Sequence, residues 1–311
     1  MKIIELDEIQ TRYKETLALA KLREGFIAFS SNRVQMPPVQ QFSFKNVQGD
    51  SCIKSAWVEG TETFCVKISN GFYQNEKRGL PSNDGLNILF SALTGQPEVL
   101  LNDHGWLTGM RTALAGRIAA ELMAPEKVER IAIFGTGLQA ELQLRQLADL
   151  TTCNNVILWG RSEDSLKHFR QRLSDLSLDI RVTLNQEEAA RQSSIIVTAT
   201  ASTVPLIRKD WISKGTHITA VGADAPGKNE LESSLVASAD LILVDSIKQC
   251  SRYGELSQLS DGMRNGKKII EMGSLLAEPA LYSRDPMDIT IADLTGLGVQ
   301  DAQISASILG R

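Results

Sequence analysis

An α/β fold, with a doubly wound parallel-sheet domain in the middle of the chain and a discontinuous α+β domain around it, is predicted by three observations. From Arg130 onward, apolar runs of four or five residues alternate with helical stretches, the order that a parallel sheet with crossover helices requires. The first of those runs passes through Gly135-Thr136-Gly137 straight into an amphipathic segment. Before residue 112 the pattern differs: shorter alternating runs are separated by turns, which reads as an antiparallel sheet.

Taken in order, residues Ile4 to Phe29 place apolar positions at helical spacing and predict a helix. Pro37-Pro38 then opens a strand-rich region. "CIKSAWV" and "TFCVKIS" read as consecutive strands around the turn-forming Glu59-Gly60, and the stretch from Gly79 to Arg111 holds a second pair joined by a Gly-Gln-Pro turn. The Ala-rich run from Thr112 to Met123 predicts a helix that Pro125 stops. A strand from Arg130 to Phe134 leads to a helix reaching Leu150, and a second strand, Asn155 to Trp159, to a helix start at Ser162. Further strands are predicted at Ile180 to Leu184, Ile195 to Ala199, His217 to Val221 and Leu241 to Val244. The closing segment "DITIADLTGLGVQDAQISASILG" reads as a strand, a Thr-Gly-x-Gly turn and a helix that returns to the amino-terminal part. The division expected is therefore 113–294 for the parallel-sheet domain, and 1–112 with 295–311 for the other.

With 311 residues, 42% of them hydrophobic and 23% charged, the chain can bury two ordinary cores, and disorder or a fibrous repeat is excluded. A net charge of -4 removes the broad basic field that a phosphate backbone needs, so no nucleic-acid partner is expected. Acidic residues near the start, and the lack of any run near about 20 apolar residues, predict neither export nor membrane insertion. Cys52, Cys65, Cys153 and Cys250 are scattered and His104, His168 and His217 share no ligand spacing with them, so no metal site is expected. Reduced thiols and a cytoplasmic location follow from the same cysteine usage.

"IAIFGTGLQAELQLRQL" sets its glycines between an apolar strand and an amphipathic helix, the context of a Rossmann-type dinucleotide-binding turn. Gly135 permits the tight turn, Gly137 lets the backbone approach a pyrophosphate, and Ala140 allows close helix–strand packing. The N–H groups and dipole of the helix start then meet the phosphates. At the end of the next strand stands Trp159-Gly160-Arg161-Ser162, with no carboxylate to repel a 2′-phosphate. Arg161 thus favours NADPH, with NADH as a second donor; a solvent-facing arginine is the other reading of that position. The small-residue loop Thr198 to Ser202 falls at the carboxyl edge of the sheet, where ligands of open α/β folds collect.

Four stretches carry more: "CVKISNGF", "TGMRTALAG", "AVGADAPGKNEL" and "ADLTGLGVQDA". Together with the glycine turn they resemble the ornithine cyclodeaminase/mu-crystallin family over almost the whole chain. The resemblance implies an enzyme, homodimeric through its amino-terminal sheet, that transfers hydride between a nicotinamide and the α-carbon of a small amino or imino acid. By that likeness Lys67 and Arg111 contact the substrate carboxylate, Asp224 is the acid/base near the nitrogen, with Lys67 beside it in catalysis, and Thr295 borders the substrate. The same likeness assigns Ser82, Arg111, Leu138, Gln139, Thr200, Val221 and Lys228 to the dinucleotide, alongside Gly135, Gly137 and Arg161. The chemistry of these side chains agrees: a guanidinium suits bidentate capture of a carboxylate, an ammonium supplies a point charge, and an aspartate can serve a protonated imine. Read one at a time, each stays open to a plainer role: Lys67 as a solvent-side lysine, Arg111 as a cap on carbonyls, Asp224 as a turn former.

Where cyclodeaminase-like members carry an arginine after the proline pair, this chain has Val39-Gln40-Gln41. The "VQMPPVQ" segment is more similar to the Δ1-pyrroline-2-carboxylate reductase subgroup, whose substrate is already a cyclic imine. The expected reaction is therefore reduction of Δ1-pyrroline-2-carboxylate to L-proline, and of the six-membered Δ1-piperideine-2-carboxylate to L-pipecolate. Ornithine cyclodeamination or alanine dehydrogenation are the rivals within the family, and non-catalytic NADPH binding is the rival outside it.

Overall fold

In this computed structural model, which describes residues 1–72, 74–191 and 193–310, the chain divides into two units, Met1–Arg111 with Leu297–Arg311 and Thr112–Gly296. The first begins with a strand, β1 (Lys2–Glu5), and two helices, α1 (Leu6–Arg12) and α2 (Glu15–Ser30). The single helix expected from Ile4 to Phe29 does not form. Lys2 to Glu5 pair in parallel with Val99 to Asn102, and Tyr13 turns extended at the end of α1 and sets its ring edge-on to Trp106, 5.1 Å between centroids.

The strands β2 (Val34–Gln35), β3 (Gln40–Phe44), β4 (Gly49–Val58), β5 (Thr63–Phe72), β6 (Asn83–Ser91) and β7 (Pro97–Asn102) complete a seven-stranded sheet. Its order is β1-β7-β6-β5-β4-β2, with β3 also on β4, and every pairing but β1 with β7 is antiparallel. The helix α3 (Trp106–Met123) starts six positions earlier than the Thr112 expected, because the Asp103 carboxylate accepts the Leu107 N–H at 2.8 Å and caps it. The final helix of the chain, Gly298–Leu309, packs on β4, β5 and α2. Gly298 permits that approach, since a Cβ there would meet the Ser55 carbonyl oxygen at 2.8 Å.

The second unit alternates strands with helices: β8 (Ile131–Phe134), α4 (Leu138–Leu150), β9 (Asn155–Trp159), α5 (Glu163–Arg172), β10 (Asp179–Thr183), α6 (Gln186–Arg191), β11 (Ile195–Thr198), β12 (Thr203–Ile207), β13 (His217–Ala220), β14 (Asn229–Leu231) and α7 (Ser233–Ser238). It continues with β15 (Leu241–Val244), α8 (Ile247–Cys250), α9 (Asp261–Arg264), β16 (Ile269–Glu271), α10 (Met272–Ala277) and β17 (Thr290–Asp293); the final helix of the chain is then α11. Eight of these strands form one parallel sheet in the order β10-β9-β8-β11-β13-β17-β15-β16, while β12 and β14 pair separately. This is a Rossmann-type doubly wound sheet, its order reversing between β8 and β11.

Alternate residues of β8 enter opposite cores: Ala132 and Phe134 one, Ile131 and Ile133 the other. All four are fully buried, which is why the strand reads as an unbroken apolar run. Each such isoleucine or phenylalanine contributes about 1.5–3 kcal/mol. No helix among the described residues is long and apolar enough to cross a membrane.

Candidate active site

In the first unit, β5 alternates faces, and Cys65 and Lys67 fall on the buried one. Lys67 is only 2% exposed, so the solvent-side reading of that lysine does not hold. Its ammonium lies 3.1 Å from Oδ2 of Asp301, on α11. Arg111, on α3 and also buried, donates from Nε to Oδ1 of the same carboxylate at 3.0 Å and from Nη1 to Gln300 Oε1 at 3.3 Å. Two cations thus share one anion in a place water does not reach. Burial lowers the Lys67 ammonium to about 8, against the opposing pull of Asp301. Burial works against ionisation of Asp301 too, but Lys67 and Arg111 outweigh it and hold its carboxyl below the usual range.

Neighbouring strands continue the row. Lys54 on β4 and Asn87 on β6 stand directly across from Lys67 in the register. Asn87 donates to Asp103 Oδ1 at 3.3 Å, and burial pushes the Asp103 carboxyl up to about 6. Ser82 lies before β6, half-buried, its carbonyl accepting the Phe72 N–H at 2.7 Å.

In the second unit the glycine turn sits between β8 and α4. Gly135 has φ +121°, and a Cβ there would meet the Ala199 carbonyl oxygen at 2.6 Å. Gly137 is the N-cap of α4 and has no side chain to accept from the first turn. Nothing stands within 4 Å of where its Cβ would be, so the helix start is open to a phosphate. The turn is braced from behind: Arg172 donates to the Thr136 carbonyl at 2.7 Å while bound to Glu141, also at 2.7 Å. Leu138 is exposed and Gln139 half-buried in the first turn of α4. These features fit a dinucleotide.

Arg161 is exposed at the end of β9, whereas the Ser162 hydroxyl caps α5 by accepting the Ser165 N–H at 3.3 Å. The Arg161 guanidinium, unlike the Ser162 hydroxyl, is therefore not committed to the helix cap. Thr200 follows β11 and Val221 follows β13, at the carboxyl edge of the sheet. Asp224 is exposed and forms an ion pair with Lys228 at 2.6 Å. Thr295, almost fully buried, turns its hydroxyl to Asp245 Oδ1 at 3.0 Å and accepts from Gln249 Nε2 at 3.0 Å.

The structure thus brings Lys67, Arg111 and Asp301 into contact in one unit; in the other, Asp224 pairs with Lys228, and the glycine turn lies against the loop of Thr200. Asp301, Gln300, Asn87 and Glu230 were given no individual role from sequence. For Asp301 a signal existed: it is the one charged residue of α11, in "GVQDAQISASIL", and a lone carboxylate on such a helix calls for a buried cation. Among the described residues no group of three or more His, Cys, Asp or Glu side chains is placed to hold a metal ion.

The sequence pattern of the ornithine cyclodeaminase/mu-crystallin family matches residues 2–310. An uncharacterised cyclodeaminase of Sinorhizobium fredii is 35% identical over 316 residues, spanning 100% of this chain and 96% of that protein. A Δ1-pyrroline-2-carboxylate reductase of Bacillus cereus is 28% identical over 287 residues, 91% of this chain and 88% of the other. Among solved structures, an archaeal alanine dehydrogenase dimer with bound NAD superposes with a TM-score of 0.89 at 28% identity, covering 100% of this chain and 95% of that one. With the fold, the glycine turn and the matched span in agreement, the chain belongs to the ornithine cyclodeaminase/mu-crystallin family.

Proposed function

We propose that this protein transfers hydride from NADPH, with NADH as a second donor, to the α-carbon of a small cyclic imino acid, reducing Δ1-pyrroline-2-carboxylate to L-proline and Δ1-piperideine-2-carboxylate to L-pipecolate. The observation that carries this reading is the Lys67–Asp301–Arg111 cluster, in which two buried cations face one carboxylate. Within this trio the cations outnumber the anion by one, and a substrate carboxylate answers the excess.

The nicotinamide, when bound, supplies the hydride. Everything else falls to side chains of this chain. Lys67 and Arg111 orient the substrate carboxylate and so fix the position of the adjacent carbon. Asp224 pairs with the protonated imine, keeping the carbon electrophilic, and the nitrogen keeps that proton as the C=N bond becomes C–N. Thr295 stands at the border of the substrate. Gly135, Gly137, Leu138 and Gln139 hold the pyrophosphate side of the cofactor, Arg161 its 2′-phosphate, and Ser82, Arg111, Thr200, Val221 and Lys228 the remainder. The working form is a cytoplasmic homodimer; its mass in solution checks the dimer.

The likeness to a cyclodeaminase favours a second reading, in which ornithine is cyclised with loss of ammonia. One assay separates them: NAD(P)H consumption with the cyclic imine against ammonia release from ornithine. Rapid ammonia release with no oxidation of NAD(P)H by the imine rejects the reductase; the converse rejects the cyclodeaminase.

A further inference from the structure

Behind the loop that follows β11 lies a carboxylate that the reaction described above does not use. Glu230, on β14, is completely buried, and four donors converge on it. Its Oε1 accepts the Thr200 N–H and the Thr200 hydroxyl, each at 2.7 Å; its Oε2 accepts the Thr198 hydroxyl at 2.8 Å and the Gly222 N–H at 2.9 Å. The direction of the Thr200 bond is settled, because that hydroxyl already accepts from the Ser202 N–H at 3.2 Å and its own proton is left for Glu230. Among the described residues no cation pairs with this carboxyl; burial pushes it above the usual range, against the pull of the Thr200 and Gly222 amides and the Thr198 and Thr200 hydroxyls.

Glu230 is itself held from behind. Glu255 accepts the backbone N–H groups of Glu230 and Leu231 at 2.8 and 3.0 Å, and Asp293, at the end of β17, accepts the Leu256 N–H at 2.9 Å. Three buried acids in succession therefore connect the end of β17 to the loops after β11 and β13. Leaving a buried carboxyl without a cation is costly unless its acceptors are filled, and here they are filled by the last residue of β11 and the two loops that border the sheet's carboxyl edge.

The strand order says which part of a ligand those loops meet. The glycine turn after β8 and Arg161 after β9 lie on one side of the point where the order reverses; Thr200 and Gly222 lie on the other. We propose that Glu230 is a positioning residue for the nicotinamide half of the dinucleotide, fixing Thr200 and Gly222 in the conformation that receives it. This rests on the dinucleotide reading above and adds to it a division of labour within the site.

The test compares whole dinucleotides with their adenosine halves on the intact protein. NADPH and NADH, and adenosine 2′,5′-bisphosphate and AMP, are titrated into wild type, Glu230→Gln and Thr198→Val, with binding followed by fluorescence and calorimetry. In Glu230→Gln the Kd of the dinucleotide that wild type prefers rises tenfold or more, while the Kd of its adenosine half stays within twofold. Thr198→Val, isosteric and short of one donor, shifts the dinucleotide about threefold in the same direction, since it removes one of the hydrogen bonds that tie Glu230 in place, and leaves the half unmoved. Equal weakening of whole and half in either variant reduces Glu230 to a structural part and overturns the inference, as does no change in either. If Glu230→Gln does not fold, Thr198→Val decides by the same comparison. Wild-type protein that binds neither dinucleotide overturns the cofactor reading itself; wild type that binds them without the split in the variants overturns only the role of Glu230.

Discussion

Asp301 stands between two buried cations, and its removal leaves them facing each other without an anion. Asp301→Asn is therefore expected to cost about 3–5 kcal/mol of stability, measured by urea unfolding, since breaking a buried pair strands its partners. Lys67→Met keeps most of the packing and removes one charge from the proposed carboxylate site. It lowers kcat/KM for the cyclic imine by about 100-fold, while the Kd of the dinucleotide stays within twofold. Because burial brings the Lys67 ammonium down to about 8, wild-type kcat/KM should fall as the pH rises above that value, and the cation is lost. A pH profile flat from 7 to 9.5 would remove Lys67 from substrate binding. Lys67 and Arg111 could be singled out from their local motifs, but their shared partner could not be paired with them: Arg111 and Asp301 are 190 positions apart, and no spacing rule spans that distance. Glu230 was hidden for the same reason, as its donors come from β11 and from the turn after β13.

At the scale of elements, the glycine turn was legible because everything that defines it is local: a strand, two glycines and a helix start within ten residues of one another. Gly135→Ala tests it. With φ at +121° and a backbone oxygen 2.6 Å from the new Cβ, the turn must shift, costing about 1–3 kcal/mol and weakening dinucleotide binding at least tenfold by titration. Wild-type affinity would show that the turn holds no pyrophosphate. The amino-terminal helix was misread because four residues do not distinguish a period of 2 from one of 3.6, and Lys2 to Glu5 become a strand only through β7, far along the chain. The start of α3 was placed late because Gly109 weakens a helical reading, while the cap from Asp103 becomes visible only in three dimensions.

Across the whole molecule, the buried acids of the second unit make stability depend on pH in a direction opposite to that of surface ion pairs. Burial, chiefly, pushes the Asp293 carboxyl up to about 7, against about 4 for an aspartate in an unfolded chain. Between those values the folded protein holds a proton that the unfolded chain has released. The stabilisation is complete below about pH 4 and is lost as the pH rises through about 7. Relative to Asp293→Asn, wild type should thus lose up to about 4 kcal/mol between pH 4 and pH 8 in urea unfolding; an equal difference at both values would mean that Asp293 does not titrate there. The same acids have a dynamic consequence. The amides of Thr200, Gly222, Glu230, Leu231 and Leu256 each end on a buried carboxylate instead of a sheet ladder. On transfer to heavy water, these five amides should exchange for deuterium as slowly as those of the central strands, a rigid rim held by side-chain acceptors.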